Sequence, residues 1–139
     1  MKSLIEQLLR EELTKPDKFA VGVLIKCTET GRVFLLLRND KVPVWSVMSG
    51  GLDKGETQME CLKREMREEL KVDPELVTYK YIHKEYNEAD NLEFYYYEGL
   101  TKKEFIPKLD HENLKGEWFA KDEIPSPLFK GMKEKIAQI

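Results

Sequence analysis

One amphipathic segment, residues 57–70, lies between two groups of β-rich segments, and this order restricts the possible folds more than any other feature. Four runs of apolar and β-branched residues flank it, at 19–27, 32–38, 77–86 and 92–99. The apolar spacing of the central segment is that of a helix, and Asp73-Pro74 ends the pattern. Strands and helices in this order, with short turns between neighbouring strands, predict an α/β or α+β sandwich with a mixed β-sheet.

The remaining segments extend this prediction. A short strand within 42–48 is expected to lead into a glycine-rich loop, and another is expected at 117–120. The last residues, from about 127 to 139, are predicted to form a closing helix. No internal repeat, low-complexity tract or linker interrupts the chain, so residues 1–139 are interpreted as one domain.

The first fifteen residues are predicted to form an additional N-terminal helix. Ser3 and Glu6 fit a capping box. Five apolar residues at helical spacing would form one face of this helix: Leu4, Ile5, Leu8, Leu9 and Leu13. We expect this face to pack on the domain, with a contact in a homodimer as the alternative.

The central helical segment has two distinct faces. At about 100° per residue, one narrow arc carries the apolar residues and predicts the buried face: Met59, Leu62, Met66 and Leu70. The adjoining arc carries three glutamates, Glu65, Glu68 and Glu69. Like charges three and four residues apart on a helix repel by about 0.2–0.5 kcal/mol per pair. The glutamates therefore either form a solvated face or surround a cation.

A group of glycines just before this helix favours the cation. Gly50, Gly51 and Gly55 allow a tight turn and a close approach of the backbone to a ligand. Free N–H groups at the start of the helix suit a phosphate, although Asp53 and Glu56 can satisfy them instead. Oxygen ligands are those that Mg²⁺ and Mn²⁺ prefer. The alternative is a plain turn followed by a solvated acidic face.

Composition argues against several classes of function. With 23 basic and 26 acidic residues the net charge is −3, which disfavours a general nucleic-acid-binding protein but leaves a locally basic face open. Cys27 and Cys61 are the only cysteines, and we expect both to be reduced and structural, as suits a cytoplasmic protein. The longest apolar run, 19–25, is too short to span a membrane, and we expect no membrane partner.

Residues 50–72 resemble the signature of the Nudix hydrolases. In that signature a Gly is followed after five residues by Glu, and after seven more by Arg-Glu-apolar-x-Glu-Glu-x-Gly-apolar. The matching positions here are Gly50, Glu56, Arg64, Glu65, Met66, Glu68, Glu69 and Val72. The departure is Lys71 in place of the last glycine, where a left-handed backbone would cost about 1–2 kcal/mol. Residues 116–118 and 122–125 also resemble the family, so the resemblance spans about residue 19 to the C-terminus.

The resemblance implies a Nudix-type α/β/α sandwich with a divalent metal ion, Mg²⁺ or Mn²⁺. By likeness to the family, the metal ligands would be Glu65, Glu68 and Glu69, with Glu56 and the Gly50 carbonyl in support. Arg64 would orient a helix carboxylate, or would only pair with Glu68 at i,i+4. Glu112, in a distant loop, is a candidate metal ligand or general base, and its alternative is a plain loop acid.

The implied activity is hydrolysis of a diphosphate linkage in a nucleoside diphosphate derivative, such as a nucleoside triphosphate, a nucleotide sugar, ADP-ribose or a dinucleoside polyphosphate. Gly50 and Gly51 would approach this small-molecule substrate, and Arg38 at a strand end is a candidate for phosphate binding. A carboxylate, from Glu68, Glu69 or Glu112, would accept a proton from the attacking water.

Two alternatives remain at this point. The first is a protein of the same fold that binds a nucleotide or an RNA end without cleaving it, and the complete set of glutamates argues against this. The second is a pyrophosphohydrolase of RNA 5′ ends or caps, which would need a basic channel for the RNA. The near-neutral net charge disfavours this second alternative without excluding it.

Overall fold

The computed structural model describes residues 3–6 and 16–139. The strands of the described residues are β1 Lys18–Cys27, β2 Val33–Arg38, β3 Trp45–Ser46, β4 Met48–Gly51, β5 Val77–Asn87, β6 Leu92–Thr101 and β7 Asn113–Phe119. The helical elements are α1 Gln58–Glu65, a π-helical turn Met66–Leu70, a 3-10 turn Pro74–Leu76 and α2 Met132–Gln138.

The strands form one mixed sheet, as the sequence predicted. The order is β3-β2-β1-β6-β5, with β4 also beside β1 and β7 also beside β2. Strands β1 and β6 run parallel, and their register extends from Lys18 opposite Leu92 to Cys27 opposite Thr101. Strand β4 runs antiparallel to β1 and places Gly50 opposite Val21. The predicted glycine loop is therefore corrected at its start, because Gly50 and Gly51 belong to a paired strand.

Two apolar cores lie on opposite faces of the sheet. On one face Leu62 and Met66 of the central helix belong to a buried cluster with Val23 of β1. On the other face of the sheet, Met132 and Ile136 of α2 belong to a second buried cluster, together with the strand residues of that face. Full burial of one such Leu, Ile or Met side chain contributes about 1.5–3 kcal/mol. These two cores confirm the predicted α/β/α arrangement.

The central helix departs from the regular α-helix that the sequence predicts. Thr57 forms a capping box, in which its Oγ1 accepts from the Glu60 N–H at 3.1 Å and the Glu60 carboxylate accepts from the Thr57 N–H at 3.2 Å. From Met66 onward the turn is π-helical, a conformation that is rare and often found at functional sites. The turn ends at Lys71, whose φ of 56° and ψ of 37° are left-handed. Lys71 thus adopts the conformation of the glycine that it replaces.

Two other predicted boundaries are wrong for identifiable reasons. Strand β7 starts at Asn113 rather than near residue 117, because it pairs with β2 along its length. The closing helix begins only at Met132. The segment before it hydrogen-bonds to β3 instead, since the Phe129 N–H donates to the Trp45 carbonyl at 2.8 Å and the Trp45 N–H donates to the Pro127 carbonyl at 2.9 Å.

At the N-terminus, residues 4–6 are helical and the Glu6 N–H donates to Ser3 Oγ at 3.1 Å. Leu4 and Ile5 are 69% and 70% exposed. The rest of the predicted helix, including Leu8, Leu9 and Leu13, lies outside the described residues, so its packing and its role in a homodimer stay predictions.

Two further expectations can be compared with the structure. Cys27 and Cys61 are both buried and free of disulfide bonds, as predicted. Within residues 3–6 and 16–139, no helix combines the length and the apolar character needed to cross a bilayer.

Candidate active site

A cleft of about 540 Å³ opens where strands β1 and β6 begin and strands β2 and β4 end. Five acidic side chains line it, together with strand residues and one arginine from the central helix: Glu65, Glu68, Glu69, Asp110, Glu112, Ala20, Arg38, Ser49, Gly50, Gly51, Leu92, Phe94 and Arg64. We call it the acidic cleft. The helix supplies three of its acids and the loop before β7 supplies the other two.

Glu65 lies directly against the backbone of β4. A Cβ added to Gly50 would overlap the carboxyl group of Glu65 and stand 2.5 Å from its Oε1, so no other residue fits at position 50 without moving this side chain. Glu65 is 8% exposed, and its burial raises its pKa even though Arg64 acts in the opposite direction. The position of this carboxylate therefore depends on a glycine in the neighbouring strand.

Arg64 connects the acidic groups to one another. Its Nε and Nη2 donate to the two carboxylate oxygens of Glu56 at 2.7 and 2.9 Å. Its Nη1 donates to Glu65 at 2.7 Å and to Glu68 at 3.1 Å, and Nη2 also donates to the Gly51 carbonyl at 3.0 Å. Paired hydrogen bonds of this kind are strong and directional. Arg64 therefore fixes the orientation of three carboxylates at once.

Glu56 is bound to Arg64 and is not part of the cleft lining. The hydrogen bond from Arg64, followed by one from the Asp53 N–H at 3.0 Å, lowers the pKa of Glu56 to about 2. The same ion pair raises the pKa of the guanidinium group. Glu56 is thus a charged partner that orients Arg64, and as a direct metal ligand it stays a prediction.

Glu69 is the most deeply buried acid of the cleft. It is 3% exposed, and its Oε2 finds no hydrogen-bond partner in the described part of the chain. Burial, followed by the charge of Glu65 and the neighbouring Glu112, raises the pKa of Glu69 to about 9. A buried carboxylate that ionises without a partner is strongly disfavoured. Without a cation this group is therefore protonated at neutral pH, and a cation beside it would allow it to ionise.

Backbone contacts hold the loop that carries Asp110 and Glu112 against the helix. The Lys108 N–H donates to the Leu70 carbonyl at the end of the π-helical turn, at 2.8 Å. The Asn39 N–H donates to the Glu112 carbonyl at 2.8 Å, and the Glu112 N–H donates to Asp110 Oδ1 at 3.0 Å. The loop is therefore attached to the end of the π-helical turn and, through Glu112, to the residue that follows β2.

The donor set of the cleft fits a hard divalent cation, because it consists of carboxylate and carbonyl oxygens and contains a buried carboxylate oxygen without a partner. Among the described residues, however, no three His, Cys, Asp or Glu side chains are already arranged to hold a metal ion. Arg64 binds one oxygen of Glu65 and one of Glu68. Arg64 does not bind the second oxygen of either carboxylate, which leaves that oxygen available to an ion.

The structure brings most of the predicted site residues together. The acidic cleft contains Arg38, Gly50, Gly51, Arg64, Glu65, Glu68, Glu69 and Glu112. The three helix glutamates differ in exposure, since the side chain of Glu68 is 59% exposed whereas Glu65 and Glu69 are buried. At about 100° per residue Glu68 lies farthest of the three from the buried arc, so the helical wheel agrees with this order of exposure.

Several lining residues of the acidic cleft were not predicted from the sequence. Asp110 could have been found, since it stands two positions before Glu112 and side chains two apart share a side of an extended chain. Ser49 and Phe94 gave no usable signal, because the same residue types alternate in any half-buried strand.

A second cleft, of about 840 Å³, adjoins the first. The two share Arg38, Ser49, Leu92 and Phe94. We call the second one the aromatic cleft, because the rings of Tyr86, Phe94 and Phe129 line it. Arg38 stands at the junction, and its Nε donates to Asp40 at 3.1 Å.

Comparisons with known proteins agree with this geometry. A family model described as the NUDIX domain matches residues 16–139. An RNA pyrophosphohydrolase of a Nitratiruptor species is 36% identical over 106 residues, which cover 70% of this chain and 65% of that protein. An RNA pyrophosphohydrolase of Helicobacter pylori is 30% identical over 102 residues, with coverages of 71% and 66%. The chain thus spans slightly less than two thirds of these relatives.

Solved structures of other proteins have the same fold as this chain. A C. elegans Ap4A hydrolase superposes with a TM-score of 0.70 at 20% identity, over 86% of this chain and 93% of that one. At this identity the likeness concerns the fold alone.

Proposed function

The chain belongs to the Nudix family, and on this premise we propose that it hydrolyses a phosphoanhydride bond of a nucleotide derivative with a divalent metal ion. The observation that carries the proposal is the acidic cleft, in which the buried carboxyl of Glu69 has an oxygen without a partner among the described residues. A buried carboxyl oxygen without a partner destabilises the fold, so packing alone does not explain it. Binding of a cation in an active site does explain it.

The residues of the cleft would have distinct roles in this reaction. Glu65, Glu68 and Glu69 would supply oxygen ligands to the ion, and Arg64 would keep Glu65 and Glu68 close to their working positions. When bound, Mg²⁺ or Mn²⁺ would neutralise the diphosphate and increase the acidity of the attacking water. Glu112, which is exposed and not bound by Arg64, is our candidate for the proton acceptor.

The bond changes follow from this arrangement. The water oxygen bonds to one phosphorus, and the bond from that phosphorus to the bridging oxygen breaks. The water proton passes to the accepting carboxylate. The products are two phosphorylated fragments: a nucleoside monophosphate, or a 5′-monophosphorylated chain, together with the phosphorylated partner, which is pyrophosphate when the substrate is a triphosphate.

The substrate we favour is the triphosphorylated 5′ end of RNA. The observation behind this choice is that relatives with 30–36% identity carry the name RNA pyrophosphohydrolase. Small nucleoside triphosphates are the second candidate, because a net charge of −3 provides no general attraction for a long polyanion.

The test is a comparison of three proteins on one substrate panel. The wild type, Glu69→Gln and Glu134→Gln would be incubated with Mg²⁺ or Mn²⁺ and a triphosphorylated RNA oligonucleotide, nucleoside triphosphates, ADP-ribose or a dinucleoside polyphosphate. Glu134 is an exposed glutamate of α2 outside both clefts and serves as the matched control. We expect turnover by the wild type and by Glu134→Gln, and a loss of at least about 100-fold in Glu69→Gln. A folded wild type that binds a nucleotide but cleaves nothing would support the non-catalytic alternative.

We also propose a cytoplasmic location. Cys27 and Cys61 are buried thiols without disulfide bonds, as expected of proteins in a reducing compartment. Labelling of thiols in freshly lysed cells after denaturation would show whether both are reduced in the native setting.

A further inference from the structure

We propose that Asn39 is a positioning residue of the reaction, which holds the carboxylate of Glu112 at a set position relative to Arg38. The inference rests on the proposed function, because it takes Glu112 as the proton acceptor. It goes beyond that function by assigning a role to a residue that is not among those lining either cleft.

The first support is the way in which Asn39 binds the acidic loop. Its backbone N–H donates to the Glu112 carbonyl at 2.8 Å, and its side-chain Nδ2 donates to the His111 carbonyl at 3.1 Å. One residue thus binds two consecutive carbonyl groups of the loop. Because hydrogen bonds are directional, two bonds to neighbouring peptide groups restrict the rotation that a single bond would allow. The side chain of Asn39 therefore helps to set the direction in which the Glu112 side chain leaves the backbone.

The second support is the place of Asn39 in the chain. It follows Arg38, the last residue of β2, which lines the acidic cleft and is the candidate for phosphate binding. Arg38 pairs with Asn113 of β7, and the register of the two strands shifts between Leu37 and Arg38. Irregularities of this kind re-aim side chains next to active sites. The bonds from Asn39 continue the contact beyond the last strand pair, so one connected piece of backbone sets the spacing between Arg38 and Glu112.

The third support is that packing does not account for Asn39. The residue is exposed, and its hydrogen bond to His111 is exposed as well. Such a bond adds little to stability, because water replaces it when it is lost. Another tether of the loop, from the Lys108 N–H to the Leu70 carbonyl, lies at the opposite end. Loss of the Asn39 amide should therefore leave the fold intact and loosen the part of the loop that carries Glu112.

The first experiment removes the donor without changing the size of the side chain. Asn39→Asp presents an oxygen to the His111 carbonyl where the wild type presents an N–H. Its matched control is Gln138→Glu, the same change from amide to carboxylate at an exposed position of α2 outside both clefts. Asn39→Ala shows whether an effect of Asn39→Asp comes only from the added negative charge. Both kcat and KM would be measured with Mg²⁺ on the substrate that the wild type cleaves.

We expect kcat to fall about tenfold or more in both Asn39 variants, as for other residues that orient a working group. KM should stay unchanged, because the affected contact acts in the transition state and not in substrate binding. Gln138→Glu should match the wild type in both constants. Wild-type kcat in the Asn39 variants, or a rise of KM with kcat unchanged, would overturn the inference.

A double-mutant cycle separates action through Glu112 from a general effect on the protein. Glu112→Gln would be measured alone and in combination with Asn39→Asp. If Asn39 acts through Glu112, the double variant should be no slower than Glu112→Gln, because groups that act as a unit are not additive. Losses that multiply, or wild-type kcat in Glu112→Gln, would overturn the inference.

The last experiment needs no turnover. Hydrogen–deuterium exchange of the backbone amides of residues 108–113, followed by mass spectrometry, reports local opening of the loop. Exchange should be faster in both Asn39 variants than in the wild type and Gln138→Glu, and exchange of the central helix should not change. A wild type that cleaves nothing on the panel would refute the proposed function, whereas unchanged exchange of the loop would refute the placement of Glu112 by Asn39. The two failures are therefore distinguishable.

Discussion

The acidic and the aromatic clefts share a wall but are built in opposite ways. Three acids of the first come from five consecutive residues of the central helix, and one arginine connects two of them. The rings of the second come from three separate places, the end of β5, the start of β6 and the segment before α2. Three of the five acids of the first cleft are thus close together in the sequence, whereas the rings of the second are dispersed along the chain.

Each cleft nevertheless depends on one glycine, and the two glycines are neighbours. Gly22 of β1 lies opposite Ser49 of β4, one residue from Gly50. A Cβ at Gly50 would overlap the Glu65 carboxyl group, and a Cβ at Gly22 would overlap the far end of the Phe94 ring. Because adjacent strand positions can face opposite sides of a sheet, one pair of strands serves both clefts.

The largest expected effect comes from replacing each of these two glycines by alanine in separate variants. Gly50→Ala should reduce kcat by at least about 100-fold, because the added methyl group displaces Glu65, and misplacement by about 1 Å can have this effect. Gly22→Ala should mainly raise KM, because it shifts Phe94 in the shared wall. Steady-state kinetics of both variants, after circular dichroism has shown that they are folded, would check this. The same change of kcat and KM in both variants would remove the distinction between the clefts.

The next effect concerns Arg64 and should be confined to the acidic cleft. Arg64→Lys replaces a fork that holds Glu56 through two hydrogen bonds with a single point charge. We expect kcat to fall about 10- to 100-fold, as for other partners of metal ligands. The affinity of the protein for a nucleoside monophosphate should stay unchanged in calorimetry, and a parallel loss of that affinity would show that the effect extends beyond the acidic cleft.

A smaller pair of effects should appear in the stability of the metal-free protein, with opposite signs for the two clefts. Glu69 has a folded pKa of about 9, above its ordinary value of 4.5, so its contribution to stability is present below pH 4.5 and is lost as pH rises towards 9. Glu69→Gln should therefore melt at a higher temperature than the wild type at pH 8 and at a similar temperature at pH 4.

For Glu85 of the aromatic cleft, the contribution to stability should depend on pH in the opposite direction. Its hydrogen bond with Lys135 lowers its pKa, so its contribution is present above the unfolded pKa and is lost as pH falls through the folded pKa. Glu85→Gln should melt below the wild type at pH 8, and the deficit should shrink in acid. Thermal melts with a chelator present, at pH 4, 6 and 8, would test both variants. If the melting temperatures of both variants, relative to the wild type, changed with pH in the same direction, the two clefts would not differ in the pH dependence of their stability.

The smallest expected effect is at the end of the π-helical turn. Lys71→Gly should raise the free energy of unfolding by about 0.5–1 kcal/mol, because glycine adopts the left-handed conformation without strain. Neither kcat nor KM should change, since the Lys71 side chain lines neither cleft. Urea denaturation measures the gain, and a loss of stability would show that the bond from Lys71 Nζ to the Glu68 carbonyl outweighs the strain.

The acidic cleft was largely predictable because its information is local. Helix spacing left a solvated face and a cation site open for Glu65, Glu68 and Glu69, and the resemblance of residues 50–72 to the Nudix signature favoured the cation site. The same resemblance pointed to Glu112, which stands shortly before a tryptophan-bearing strand. The features that the sequence did not predict are non-local or irregular. The π-helical turn that carries Glu68 and Glu69 has no sequence signal of its own.

The aromatic cleft was not predictable, because the residues that form it are far apart in the sequence. The run 94–97 places aromatic residues on both faces of β6, and the alternation alone does not show which ring reaches a cleft. The position of Phe129 depends on hydrogen bonds between residues 127–129 and β3, which replaced the first part of the predicted closing helix. Only the assembled sheet reveals that these segments meet.

The parallel pairing of β1 with β6 also governs the order in which the protein can be assembled. Strand β1 is made early by the ribosome, but its parallel partner, Leu92–Thr101, follows only after the central helix and β5. Contacts between such distant segments form slowly, because a long loop must close first. A chain still being synthesised therefore carries the glutamate-rich helix before β6 and the Glu112 loop can enclose it. The acidic cleft is therefore complete only late in folding, when the centre of the sheet has formed.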